Sequence, residues 1–132
     1  DHRDLHSFPP RRSSDLVQHF HGQIKGLLPY FVEMGADALH TIEAPPVGNC
    51  TMTEAYGAVG ESMALIGNIQ YDDFCRWGPE RMKAETLKLL DECRGRRFIL
   101  SPTAGPYDPN PPPAAFANYK AFMEAAWSHP WN

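Results

Sequence analysis

The chain has 132 residues, 42% of them hydrophobic and 21% charged, with a formal net charge of −4. That length bounds it at one domain, and the balance is that of a globular protein rather than a disordered one. Scattered basic residues under a negative total exclude a nucleic-acid footprint, and no apolar run approaches the ~20 residues that span a bilayer. No secretory signal is visible. Cys50, Cys75 and Cys93 are odd in number and far apart, so no disulfide or metal framework follows from them. The expectation is reduced thiols in a cytoplasmic protein.

Residues 1–16 (DHRDLHSFPPRRSSDL) carry doubled prolines, arginines and serines and no apolar period, as a flexible arm would. The stretch also resembles the translation of a sequencing adapter. On that reading it is foreign, the native protein continued upstream of Val17, and residues 17–132 are a fragment.

From Val17 the chain alternates between strand-like and helical runs. A strand over residues 17–21 leads to a helix over 24–34, where Leu27, Leu28, Phe31 and Val32 recur at helical spacing before Gly35. A second strand covers 38–43. Thr51 and Glu54 then match a capping box opening a short helix to about Val59. The apolar run 63–69 is a third strand, followed by a loop over 70–78. Pro79 suits the first turn of a long helix to about Arg94, with Met82, Thr86, Leu89, Leu90 and Cys93 on its inner stripe. Residues 98–101 form a fourth strand. A proline-rich loop precedes a last helix over 114–126, expected to pack through Phe116, Tyr119, Phe122 and Met123.

Strict alternation predicts an α/β fold of parallel strands joined by helical crossovers. No dinucleotide glycine fingerprint follows any strand. Four strand–helix units amount to half of a (β/α)8 barrel, which typically runs ~250 residues. Such barrels gather functional groups where strands end, and His21, Glu43, Asn68, Gln70, Ser101 and Thr103 all fall there. His19 and His21, two residues apart on a strand, share a face. With Glu43 they offer a metal site, a proton-transfer site or a polar mouth. His40 faces opposite to Glu43 by alternation and is expected toward the helices. Tyr107 and Asp108 follow the fourth strand and are candidates for substrate contact. Asp72 and Asp73 are expected in a solvated loop. Half a barrel also leaves two open sheet edges, so self-association into an oligomer or aggregate is expected.

Several phrases resemble the uroporphyrinogen decarboxylase superfamily, which folds as a (β/α)8 barrel. His19-Phe20-His21-Gly22 resembles its strand-five phrase, and Glu33-Met34-Gly35-Ala36-Asp37-Ala38-Leu39 its following helix and strand. Gly67-Asn68-Ile69 resembles the end of strand seven, and Ile99-Leu100-Ser101-Pro102 the strand-eight phrase. The resemblance implies the C-terminal half of that barrel. It points nearer the branch of corrinoid-protein:thiol methyltransferases, with cobalamin-independent methionine synthase a more distant relative.

That branch holds zinc through His-x-Cys and a later Cys, where the metal keeps an acceptor thiol deprotonated. Here His19 matches the first ligand, His21 stands where Cys is usual, and Glu43 stands where methionine synthase has a Glu. The later Cys would fall near Ala104 and is missing. The resemblance thus implies Zn2+ or another divalent metal on His19, His21 and Glu43, with Glu43 and His21 as catalytic groups. Asn68, Gln70, Ser101, Thr103 and Tyr107 would bind a small-molecule substrate, with a corrinoid protein as partner. Trading thiolates for imidazoles lowers the ligand charge and makes such a metal more Lewis-acidic. The other implied activity is cofactor-free decarboxylation of uroporphyrinogen. A third reading is a truncated chain without catalysis.

Overall fold

A computed structural model describes residues 15–130. The stretch read as foreign lies outside the described residues except for Asp15 and Leu16. The Leu16 N–H donates to the Asp37 carboxylate at 2.9 Å, and its carbonyl accepts from the Asp37 and Ala38 N–H groups.

The strands β1 (Val17–His19), β2 (Ala38–His40), β3 (Ala64–Ile69) and β4 (Phe98–Pro102) form one parallel sheet in chain order. After β1 come a 3-10 turn, Lys25–Leu27, and α1 (Leu28–Glu33); α2 (Met52–Val59) follows β2. Two helices, α3 (Tyr71–Arg76) and α4 (Pro79–Glu92), follow β3, and α5 (Pro113–Ser128) follows β4. Sequential parallel neighbours joined by helices are the repeating unit of a (β/α)8 barrel, and the described residues supply half of one. Among them no helix is long and apolar enough to cross a membrane.

Parallel register divides the side chains between two faces. His19 pairs with His40, His40 with Ile66, and Ile66 with Ile99, so these four form one row across the sheet. Residues one position away point the other way. Leu39, Leu65 and Ile69 join the helix residues Leu28, Met52, Phe74, Met82 and Phe122 in a single core. The face carrying the histidine row is the barrel interior. Val17 and Ile99 on it are each 53% exposed, because the described residues put no opposite wall there.

Several boundaries differ from expectation. β1 stops at His19 and β2 at His40, so the alternation that sent His40 toward the helices does not extend to Glu43. The expected loop over 70–78 contains α3, where Asp72 pairs with Arg76 one turn later at 3.1 Å. The stripe of α4 is buried as expected. On α5, Phe116 and Met123 are 67% and 57% exposed. The face it buries is Ala115, Asn118, Ala121, Phe122 and Ala125. Mostly small residues let α5 lie close against α3 and α4, and Asn118 caps the Phe74 and Trp77 carbonyls at 2.8 and 2.7 Å.

Two local devices hold the loop after β2. The capping box is formed: the Thr51 hydroxyl accepts from the Glu54 N–H, and the Glu54 carboxylate accepts from the Thr51 N–H. Lys25 adds its ammonium to that carboxylate at 2.6 Å. The Lys25 contact first, and the Thr51 N–H next, hold the Glu54 carboxyl down to about 2. The second device is Gly48, whose backbone is folded over Glu43. A Cβ there would overlap the Glu43 carbonyl oxygen and lie 2.7 Å from its carbonyl carbon and Cβ.

Thr51→Ala should cost about 0.5–2 kcal/mol in chemical denaturation. Glu54 has a depressed folded value, so its contact contributes fully above the usual carboxylate range and is lost only as pH falls toward about 2; an NMR titration of its carboxyl carbon should give that midpoint. Gly48→Ala should destabilise by about 1–3 kcal/mol, since the clash is with backbone that has no rotamer to yield. It should also shift the His21 ring resonances through Glu43. Unchanged stability in Gly48→Ala would contradict the packing described.

Candidate functional site at the ends of β1 and β2

The pairing of β1 with β2 continues one residue beyond the strands. The Phe20 N–H donates to the His40 carbonyl at 2.7 Å, and the Thr41 N–H donates to the Phe20 carbonyl at 3.1 Å. His21 therefore leaves the sheet from a fixed point. Gly22 follows with φ +83°, a left-handed conformation open to glycine at little steric cost. That turn aims the Gly22 N–H at the Glu43 carboxylate, 2.6 Å away. Glu43 is 4% exposed. A buried carboxylate needs donors, and it has two: the Gly22 N–H on Oε2 and the His21 Nδ1–H on Oε1, at 3.3 Å.

Three imidazoles connect in series. His21 Nε2 lies 3.1 Å from His19 Nε2, and His19 Nδ1 lies 2.9 Å from His40 Nδ1. His40 Nε2 ends the series at the Pro102 carbonyl, 3.1 Å away. These partners assign the protons of the two outer rings, His40 and His21, when all three rings are neutral. A carbonyl only accepts, so His40 carries its hydrogen on Nε2 and leaves Nδ1 as an acceptor. A carboxylate only accepts, so His21 likewise carries its hydrogen on Nδ1 and keeps a lone pair on Nε2. His19 therefore lies between two acceptors, His40 Nδ1 at 2.9 Å and His21 Nε2 at 3.1 Å, and its single hydrogen serves only one of them; a second proton or a metal ion would satisfy the other. Burial, followed by the His40 and His21 rings, pushes His19 below the usual imidazole value, which favours its neutral, ligating form.

The donor set fits a metal in part. His19 and His21 present converging nitrogens, each with a partner on its other nitrogen, and the Glu43 carboxylate fixes the tautomer of His21. Glu43, expected as a third ligand, stands behind His21 with both oxygens engaged. Among the described residues no three His, Cys, Asp or Glu side chains form a group that could hold a metal. Further ligands would have to come from elsewhere.

The other expected site residues divide. Ser101 and Thr103 line the same open pocket, of about 490 Å³, as the three histidines. Ser101 donates its hydroxyl to the Pro102 carbonyl that His40 also uses. Asn68 and Gln70 line a separate groove with Asp72, Arg76 and Arg81. The Thr103 hydroxyl, which donates to Gln70 Oε1 at 3.1 Å, links the two pockets. Tyr107 is 77% exposed and reaches Asp72 at 3.4 Å, away from the histidines. Asp108 accepts the Asn110 N–H, as a turn residue does. His40 and the Pro102 carbonyl were not anticipated. His19 and His40 are each the third residue of their strand, and that matched count was the available signal.

No curated protein sequence matches the chain. A methyltransferase from Methanosarcina mazei has a similar fold, with a TM-score of 0.66 and 22% sequence identity. The match covers 85% of this chain and 30% of that one, so this chain spans under a third of that protein's length. The family model described as "Uroporphyrinogen decarboxylase (URO-D)" matches residues 4–129. The chain therefore belongs to the uroporphyrinogen decarboxylase family.

Proposed function

We propose that the chain carries the histidine side of a metal-assisted methyl-transfer site, acting on a thiol or similar acceptor. The observation behind this reading is the convergence of His19 Nε2 and His21 Nε2, 3.1 Å apart, with each ring's other nitrogen engaged by a partner. His19 and His21 would hold a divalent cation, Zn2+ being the first choice for two imidazoles with open positions. When bound, such a metal supplies the Lewis acidity that keeps an acceptor thiol deprotonated.

The chain's own groups do the rest. Glu43 holds the His21 Nδ1–H and so keeps Nε2 turned inward. The buried carboxylate also supplies negative charge close to the cation. Ser101 and Thr103 offer hydroxyls on the pocket wall for a polar group of a small substrate. A corrinoid protein as methyl donor is part of this proposal and rests on the family resemblance. Decarboxylation of uroporphyrinogen is the second reading, favoured by the family description, and it needs no metal.

Zn2+ titration of the purified chain in the presence of a small thiol, which supplies ligands beyond the two histidines, should saturate at one bound ion by elemental analysis. His19→Ala and His21→Ala should each abolish stoichiometric binding. Glu43→Gln should weaken it by about 10–100-fold, as loss of a partner behind a ligand does. Absence of stoichiometric metal in the parent chain, with neither histidine variant differing from it, would sink the metal reading and leave the decarboxylase reading standing.

A further inference from the structure

We infer that the outward face of α5 is a docking surface for α5 of a second copy of this chain, packed antiparallel across a twofold axis. α5 carries large apolar side chains on both of its faces. Phe122 goes into the core with Ala115, Ala121 and Ala125. Phe116, Met123 and Trp127 point the opposite way, and Trp127 is 90% exposed. A helix that is apolar all round belongs between two partners, and among the described residues α3 and α4 supply only one side.

Spacing names the kind of partner. Phe116, Lys120, Met123 and Trp127 follow one another by four, three and four residues, and all four are exposed. That alternation is the seam of a coiled coil. A helix with the same repeat fits it, and a second copy of this chain brings one.

Charge chooses between the two orientations. In a parallel pair Lys120 would meet the second copy's Lys120 at one level of the seam, two like charges pressed together. In an antiparallel pair with its axis at the level of Ala121 and Phe122, each Phe116 lies against the other copy's Trp127. Each Lys120 then lays its stem against the other copy's Met123. Lys120 already holds Glu124 of its own helix at 3.8 Å. The antiparallel crossing brings the second copy's Glu124 beside it, so two lysines and two glutamates share the middle of the seam.

The area suits a reversible dimer. Six large side chains with roughly 100–200 Å² each still exposed offer about 600–1,200 Å² in total, the lower end for specific interfaces. The surface is also separate from the open sheet edges, and an isologous contact stops at two copies.

Sedimentation equilibrium of the purified chain should show a monomer–dimer equilibrium. Trp127→Glu should be monomeric at concentrations where the parent chain dimerises. Lys120→Glu, which sets like charges together, should raise the dissociation constant roughly tenfold, and adding Glu124→Lys should restore the parent value. These side chains lie on the surface, so unchanged circular dichroism is expected in every variant. A parent chain that stays monomeric at every concentration would overturn the inference. So would association that Trp127→Glu leaves unchanged, which would point to the sheet edges, or a double variant no tighter than Lys120→Glu.

Discussion

Parallel pairing in chain order is the constraint on which the site depends. A parallel ladder lets no strand slip by one residue without turning every side chain to the other face. With Val17 opposite Ala38, the third residues of β1 and β2 are forced together, and both are histidine. The helices enforce that register from behind, since Leu39 and Leu65 have to enter the core that Leu28, Met52 and Met82 complete. The imidazole series is thus a by-product of packing on the opposite face. A change in the core that shifted β2 by one residue would remove His40 from the interior altogether.

Much of this was legible in the sequence, for local reasons. The capping box at Thr51 and Glu54, the inner stripe of α4 and the four apolar strands depend on residues near one another in the chain. What was not legible depends on alignment between distant segments. His40 was assigned to the helix side by alternation from Glu43, which fails because β2 ends before Glu43 is reached. Of the large residues read as the burying face of α5, Phe122 is buried and Tyr119 packs against the core, while Phe116 and Met123 face outward and close helix packing uses Ala115, Ala121 and Ala125 instead. The short helix α3 hides in a stretch that reads as loop because its two acidic residues suit a first turn equally well.

The candidate site shows the same division. His19, His21 and Glu43 come together as spacing implied, but their order is different: the carboxylate backs one histidine instead of standing beside both. Ser101 and Thr103 share the histidine pocket, while Asn68 and Gln70 open into a second groove. Position at a strand end was a good guide to the rim of the barrel and a poor guide to which part of the rim a residue serves. Direction there is set by the loop that follows, as Gly22 and Gly48 set it for the groups around Glu43.

The two ends of the imidazole series also differ in kind. One end is a buried carboxylate, a full negative charge; the other is the Pro102 carbonyl, a neutral dipole shared with the Ser101 hydroxyl. A positive charge held between His19 and His21 therefore feels an uneven field, deeper on the His21 side. The series acts as a polarised wire with one live terminal. The field across the three rings thus falls from the Glu43 end toward β4, where a carbonyl and a hydroxyl are all that face His40.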